Sequence, residues 1–114
     1  MVSKTRAKGA RSVRSITDSL EKQGWVVGIV ERNNRFIKEK DLFGLWDLAA
    51  YRGREILFIQ AKTNLSPYGK RKGEPATWLL PYIQFGREHG SELVKFQVHI
   101  KYDFKKEISI VECI

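Results

Sequence analysis

A single cysteine, Cys113, a single methionine and three prolines are all that this chain of 114 residues carries of those types. One thiol cannot close an intrachain disulfide, so nothing points to a secreted, bridge-stabilised scaffold. The two histidines, His89 and His99, have no cysteine or second histidine at ligand spacing, which argues against zinc. No apolar run approaches the roughly 18 residues that a membrane-spanning helix needs. The first residues are basic where a signal peptide would have its apolar core. A cytoplasmic protein without a membrane partner is the expectation. A glycine-rich phosphate loop, a Ser/His/Asp set and a dinucleotide fingerprint are also missing, so no small-molecule cofactor is expected.

Acidic residues are scarce relative to basic ones: 13 Asp and Glu face 21 Lys and Arg, for a net charge of +8. The excess is clustered. Lys4, Arg6, Lys8, Arg11 and Arg14 all precede the first acid, Asp18. A second group, Lys70-Arg71-Lys72, sits in a loop containing Gly and Pro, and Lys95, Lys101, Lys105 and Lys106 form a third. Clusters of this kind neutralise phosphates and release counterions, the main affinity term for nucleic acid. A solvated surface, a ribosomal partner or an anionic membrane would use the same charge. No amphipathic helix with an extended apolar face accompanies it, which favours DNA over a membrane.

With 42% hydrophobic and 30% charged residues, the composition is that of one folded domain with one core. Residues 1–10 read as a flexible basic arm and 11–114 as the domain. Val13, Ile16 and Leu20 fall at helical spacing over 12–23, with Gly24 as the stop. The apolar run 25–31 predicts a strand in the sheet interior, and 32–43 a polar connection. Strands over 45–52 and 56–63 are joined by the turn Arg52-Gly53-Arg54-Glu55 and should pair as a hairpin. A helix over 77–89 has Thr77 as cap, Pro81 in its first turn and Gly90 as terminator. Strands over 93–102 and 107–112 complete the order α-β-β-β-α-β-β. Trp25, Trp46, Trp78, Phe58 and Phe96 read as core or dimer contacts. Tyr68, beside the 70–72 cluster, reads either as core or as a ring lying against a sugar or base.

The chemistry concentrates in the hairpin. Side chains alternate along a strand, so Gln60 and Lys62 share a face, about 7 Å apart at the backbone. The hairpin folds Asp47 back toward them. A carboxylate, an amide oxygen and an ammonium at one end of a sheet form a set suited to metal-assisted phosphodiester hydrolysis. Mg2+ takes oxygen donors and keeps several waters, so one or two protein ligands suffice. A neighbouring lysine can orient the attacking water and offset developing charge. Each residue has a plainer reading: Asp47 as a strand-edge carboxylate, Gln60 as a satisfied core amide, Lys62 as a snorkelling surface lysine.

These residues resemble the PD-(D/E)XK nuclease superfamily, and within it the Holliday-junction resolvases of archaea and some phages. Trp46-Asp47-Leu48-Ala49-Ala50 matches the proline-aspartate motif, and Gln60-Ala61-Lys62-Thr63 the (D/E)-x-K motif. Trp46 stands in place of the proline and Gln60 in place of the acid, the latter like the variant seen in Mrr-like restriction nucleases. The resolvases also carry a metal-binding glutamate in the first helix, where this chain has Ser12 and Val13. Asp41 is the preferred substitute, ahead of Glu21 and Glu31. The resemblance implies a single α/β domain of the restriction-endonuclease-like type, with a central mixed sheet flanked by helices. It implies a Mg2+-dependent DNA endonuclease (Mn2+ may substitute) that resolves four-way junctions as a homodimer, with Asp47, Gln60 and Asp41 around the metal and Lys62 beside the water. Apolar residues of the second helix (Trp78, Leu79, Tyr82, Ile83) are candidates for the dimer interface. The alternatives are another nuclease of this type, Mrr-like and acting on duplex or single-stranded DNA, or a catalytically silent DNA-binding module.

Overall fold

The computed structural model describes residues 4–29 and 42–114. Helix α1 spans Lys4–Lys22. Its start lies upstream of the 12–23 segment that apolar spacing marks, so residues 4–10 continue the helix. The arm has no apolar period to reveal this, but Lys, Arg and Ala are good helix formers and need none. Ile16 and Leu20 are buried. The helix stops at Gly24, whose φ of 91° suits glycine, with Trp25 N–H returning to Leu20 O at 3.1 Å.

Five strands follow: β1 (Val26–Ile29), β2 (Leu48–Arg52), β3 (Glu55–Thr63), β4 (Val94–Lys101) and β5 (Ile108–Glu112). They form one sheet in the order β1-β2-β3-β4-β5. β3 and β4 run parallel and the other pairs are antiparallel, so the sheet is mixed. The parallel pair needs a crossover, supplied by a 3-10 turn at Thr77–Leu79 leading into α2 (Leu80–His89). Pro81 falls in the first turn of α2 and Gly90 closes it, as the sequence predicts. Thr77 makes no capping bond: the residue preceding α2 is Leu79, and neither helical segment has a side-chain cap.

The first strand departs from expectation. Among the described residues the apolar run after Gly24 forms an edge strand, not an interior one, with Val26 and Ile29 about half exposed. Hydrophobicity reports that a segment is suited to a sheet; the pairing order decides which strands have two neighbours. The polar connection over 32–43 falls largely outside the described residues, as does Glu31.

The sheet separates two apolar layers. On one face Ile16 and Leu20 of α1 pack on Leu48, Ala50, Leu57 and Ile59. On the other, Leu79 and the flanking rings of α2 pack on Trp46, Phe96, Val98, Ile100 and Cys113. Alternation along β3 thus sends Leu57, Ile59 and Ala61 toward α1 and Phe58, Gln60 and Lys62 toward α2. Gly86 lets α2 approach the end of the chain, since a Cβ there would lie 2.0 Å from the Cys113 carbonyl oxygen. Burial, with Glu112 adjacent, pushes the Cys113 thiol up to about 12, which makes it an inert core residue.

Candidate functional site

Asp47 is placed by what precedes and follows it. Phe43 and Gly44 both have positive φ, turning the chain so that Leu42 and Trp46 bridge, with Leu42 N–H donating to Trp46 O at 2.7 Å. Trp46 is fully buried, its ring 5.1 Å from Phe96, 5.5 Å from Tyr82 and 5.8 Å from Phe85. Leu48 is buried in the opposite layer. Asp47 is therefore pinned between two anchors that enter different cores. Its N–H donates to Ile59 O at 3.0 Å, and its Oδ2 accepts from Ala61 N–H at 3.4 Å. The carboxylate thus lies across β3, at the peptide that follows Gln60.

Gln60 is 7% exposed, and among the described residues its Oε1 has no hydrogen-bond partner. A buried amide oxygen left unpaired costs about 1–3 kcal/mol, which makes this oxygen a candidate ligand. Lys62, on the same face, is half-buried and holds its ammonium 5.8 Å from the ring centres of both Trp78 and Tyr82. Such cation–π contacts restrain a long flexible side chain at about 0.5–2 kcal/mol. These two rings have a role that sequence reasoning missed. Of the interface candidates on this segment, Leu79 is buried in the core, Trp78, Tyr82 and Ile83 pack partly on the sheet, and Trp78 and Tyr82 form the shelf that holds Lys62. Aromatics three to four residues apart on a helix mark an apolar face without saying what lies under it.

The Asp47 carboxylate thus lies at the peptide after Gln60, while Gln60 and Lys62 share the face of β3 that α2 covers. Asp41 lies outside the described residues. Glu21 is exposed near the end of α1. Among the described residues no group of three or more His, Cys, Asp or Glu side chains is positioned for a metal. The available donors are oxygens, one carboxylate and one orphaned amide, and that set fits a hard cation which keeps most of its water. Ser12, where the resemblance expects an acid, is buried and bonded through Oγ to Thr63 Oγ1 at 2.5 Å. The helix position therefore reaches the end of β3, next to Lys62, but delivers a hydroxyl.

This geometry gives a stability test. A glutamate at position 60 would be a buried carboxylate, costly unless a cation neutralises it. Gln60→Glu is expected to melt below the wild type in metal-free buffer and to regain the difference on adding Mg2+, by binding linkage. Thermal melts of both proteins with and without Mg2+ check this; a loss that Mg2+ leaves untouched would remove Gln60 from the site.

Basic residues lie on the loop that leaves β3 and on α1, which meets the end of β3 at Thr63. Lys70, Arg71 and Lys72 are exposed in the loop after β3. Its base is tied down by Tyr102 Oη–H to Leu65 O at 3.0 Å, Trp78 Nε1–H to Ser66 O at 2.9 Å and Ala76 N–H to Pro67 O at 2.8 Å. Arg11 and Arg14 are exposed on α1, and Lys4, Arg6 and Lys8 occupy its first turns. Tyr68 is 80% exposed, which removes the core reading for that ring. His99 faces the α1 layer, where burial pushes it down to about 4. It shares a hydrogen-bond chain with Gln97 (2.8 Å) and, through Gln97, Glu112 (2.6 Å). It is a neutral structural group at pH 7, remote from the Lys62 face.

Comparison with protein-family models and with curated proteins finds no match. Among solved structures the chain is similar to Hjc, a Holliday junction resolvase from the archaeal hyperthermophile Archaeoglobus fulgidus. The TM-score is 0.58 and the identity 21%, over 92% of this chain and 77% of that one. The chain is thus a single α/β domain, a five-stranded mixed sheet between two helices, with a fold similar to that archaeal resolvase.

Proposed function

We propose that this chain is a metal-dependent, structure-selective DNA endonuclease that cuts four-way junctions as a homodimer. The observation that carries the reading is the convergence on β3: the Asp47 carboxylate laid against Ala61 N–H, the orphaned Gln60 Oε1 and the ring-held Lys62 ammonium. The resolvase-like fold and the excess of cations support it. Asp47 and Gln60 would hold the cation, with Mg2+ the natural choice and Mn2+ able to substitute. A cation held there would supply polarisation of the scissile phosphate and acidification of a nearby water. Lys62 orients the attacking water and offsets charge gathering on the phosphoryl oxygens. The exposed Lys70, Arg71 and Lys72, with the cations of α1, bind flanking phosphates.

Symmetric incision of a four-way junction needs two sites related by a two-fold axis. The partly exposed Trp78, Tyr82 and Ile83 and the half-exposed Ile29 on β1 are the apolar surface available for that interface.

A second reading, a silent DNA-binding module, is favoured by one observation: Ser12 bonds to Thr63 where an acid would complete the metal shell. One gel separates these. Four-way junction, Y-junction and linear duplex are incubated with and without Mg2+. Mg2+-dependent cutting of the junction is the expected result. Binding without cutting would establish the silent module, and equal cutting of linear duplex would establish a nuclease without branch selectivity.

A further inference from the structure

A groove of about 900 Å3 lies beside the candidate site, between the loop after β3 and the β4–β5 hairpin. One wall carries Tyr68, Arg71 and Lys72, the other Lys105, and Arg87 projects from α2. Its floor is apolar, formed by Leu79, Ile83 and Val111. Leu79 and Ile83 follow directly on Trp78 and Tyr82, the rings that hold Lys62, so the groove and the site share one helical segment. Against its four cations stand Glu74 and Glu112, and Glu112 already accepts from Gln97 Nε2–H at 2.6 Å.

Tyr68 is the unexplained feature. Its ring is 80% exposed, yet its backbone is fixed by a bridge to Pro75, a bond from its N–H to Ser66 Oγ at 3.2 Å, and the Gly69 N–H to Glu74 O bond at 2.8 Å. Gly69 is required for that closure, since a Cβ there would sit 2.8 Å from Pro75 O. The loop is therefore built to present a bare aromatic ring beside two cations. On the facing hairpin, Phe104 is 76% exposed next to Lys105.

We infer that this groove binds a segment of single-stranded DNA, with bases stacked on Tyr68 and phosphates against Arg71, Lys72, Arg87 and Lys105. Duplex DNA satisfies cations but hides its base faces; only unpaired bases use an exposed ring and an apolar floor as well. The inference deepens the nuclease reading and rests on it for context: a branch point is where paired strands part, and the groove would take the unpaired stretch.

The test is fluorescence anisotropy of the full chain with a short oligothymidylate and, separately, with linear duplex. Tyr68→Ala is expected to weaken oligothymidylate binding about tenfold with the duplex affinity and the salt slope unchanged, since a stacking contact carries no counterions. Tyr68→Trp should restore binding, and its added tryptophan emission should be quenched on addition of the oligonucleotide. Arg71→Ala should flatten the single-strand salt slope by about 0.7. Wild-type affinity of Tyr68→Ala for oligothymidylate, or equal losses on both DNAs, would overturn the groove. Cleavage of junctions with Mg2+ is scored on the same proteins: if junctions are cut but Tyr68→Ala is neutral, only the groove fails, and if the groove behaves as described but nothing is cut, only the nuclease reading fails.

Discussion

Lys62→Ala should reduce junction cleavage by about 100- to 10,000-fold, the range associated with losing a group that moves a proton or meets developing charge. Binding should change no more than a few-fold, because phosphate contacts are spread over many of the 21 Lys and Arg residues. Folding should change little too: the side chain is half-buried and its restraint comes from two ring contacts at 5.8 Å, together worth about 1 kcal/mol. Single-turnover cleavage, junction binding and a thermal melt on one preparation separate the three quantities. A variant that cuts as fast as the wild type would mean that Lys62 is a surface lysine lying on aromatic carbon.

The largest stability effect should come from Trp46→Ala. The ring is fully buried against Tyr82, Phe85 and Phe96, so truncation leaves a large cavity at the junction of β2 and α2. Replacing such an aromatic costs about 3–5 kcal/mol, a lowering of the melting temperature by roughly 10–20 °C in a domain this size. Trp46→Phe should cost much less, because it keeps most of the ring packing and deletes the indole N–H, a buried donor with no partner among the described residues. Since Trp46 fixes the position of its neighbour Asp47, cleavage should fall in the alanine variant even at temperatures where it stays folded. Melting curves of the two variants check the order, and equal melting temperatures for Trp46→Ala and the wild type would contradict the packing described.

The parts of this fold that were legible in sequence are those fixed locally. Arg52-Gly53-Arg54-Glu55 announces a two-residue hairpin turn, and Arg52 does pair with Glu55, with Gly53 at φ 62°. The period of two places Gln60 and Lys62 on one face whatever covers it. Pro81 and Gly90 bracket α2 because one is tolerated only in a first turn and the other readily ends a helix. What stayed hidden depends on partners distant in the chain. Nothing in Val26–Ile29 says that only one strand will lie beside it. The apolar residues of α2 look the same whether they face a second molecule or the sheet, and only the crossover brings Trp78 and Tyr82 over Lys62. The Ser12–Thr63 bond joins residues 51 positions apart and leaves no local trace. Gln60 is of the same kind: a glutamine at the end of an apolar strand reads equally as a metal ligand and as a satisfied core amide, because its partners lie elsewhere in the chain.

The central claim is that Asp47 holds a catalytic cation against β3. The most direct measurement is the Mg2+ dependence of junction cleavage by wild type and Asp47→Asn, followed under single-turnover conditions with binding measured alongside. Asparagine keeps an oxygen that can accept from Ala61 N–H, so the local fold is preserved while the negative charge that attracts the cation is removed. The wild type is expected to cut only when Mg2+ is present, and Asp47→Asn to bind the junction normally but cut at least about 100-fold more slowly at any Mg2+ concentration. Cleavage by the wild type in the presence of a chelator, or by Asp47→Asn at the wild-type rate, would contradict that claim.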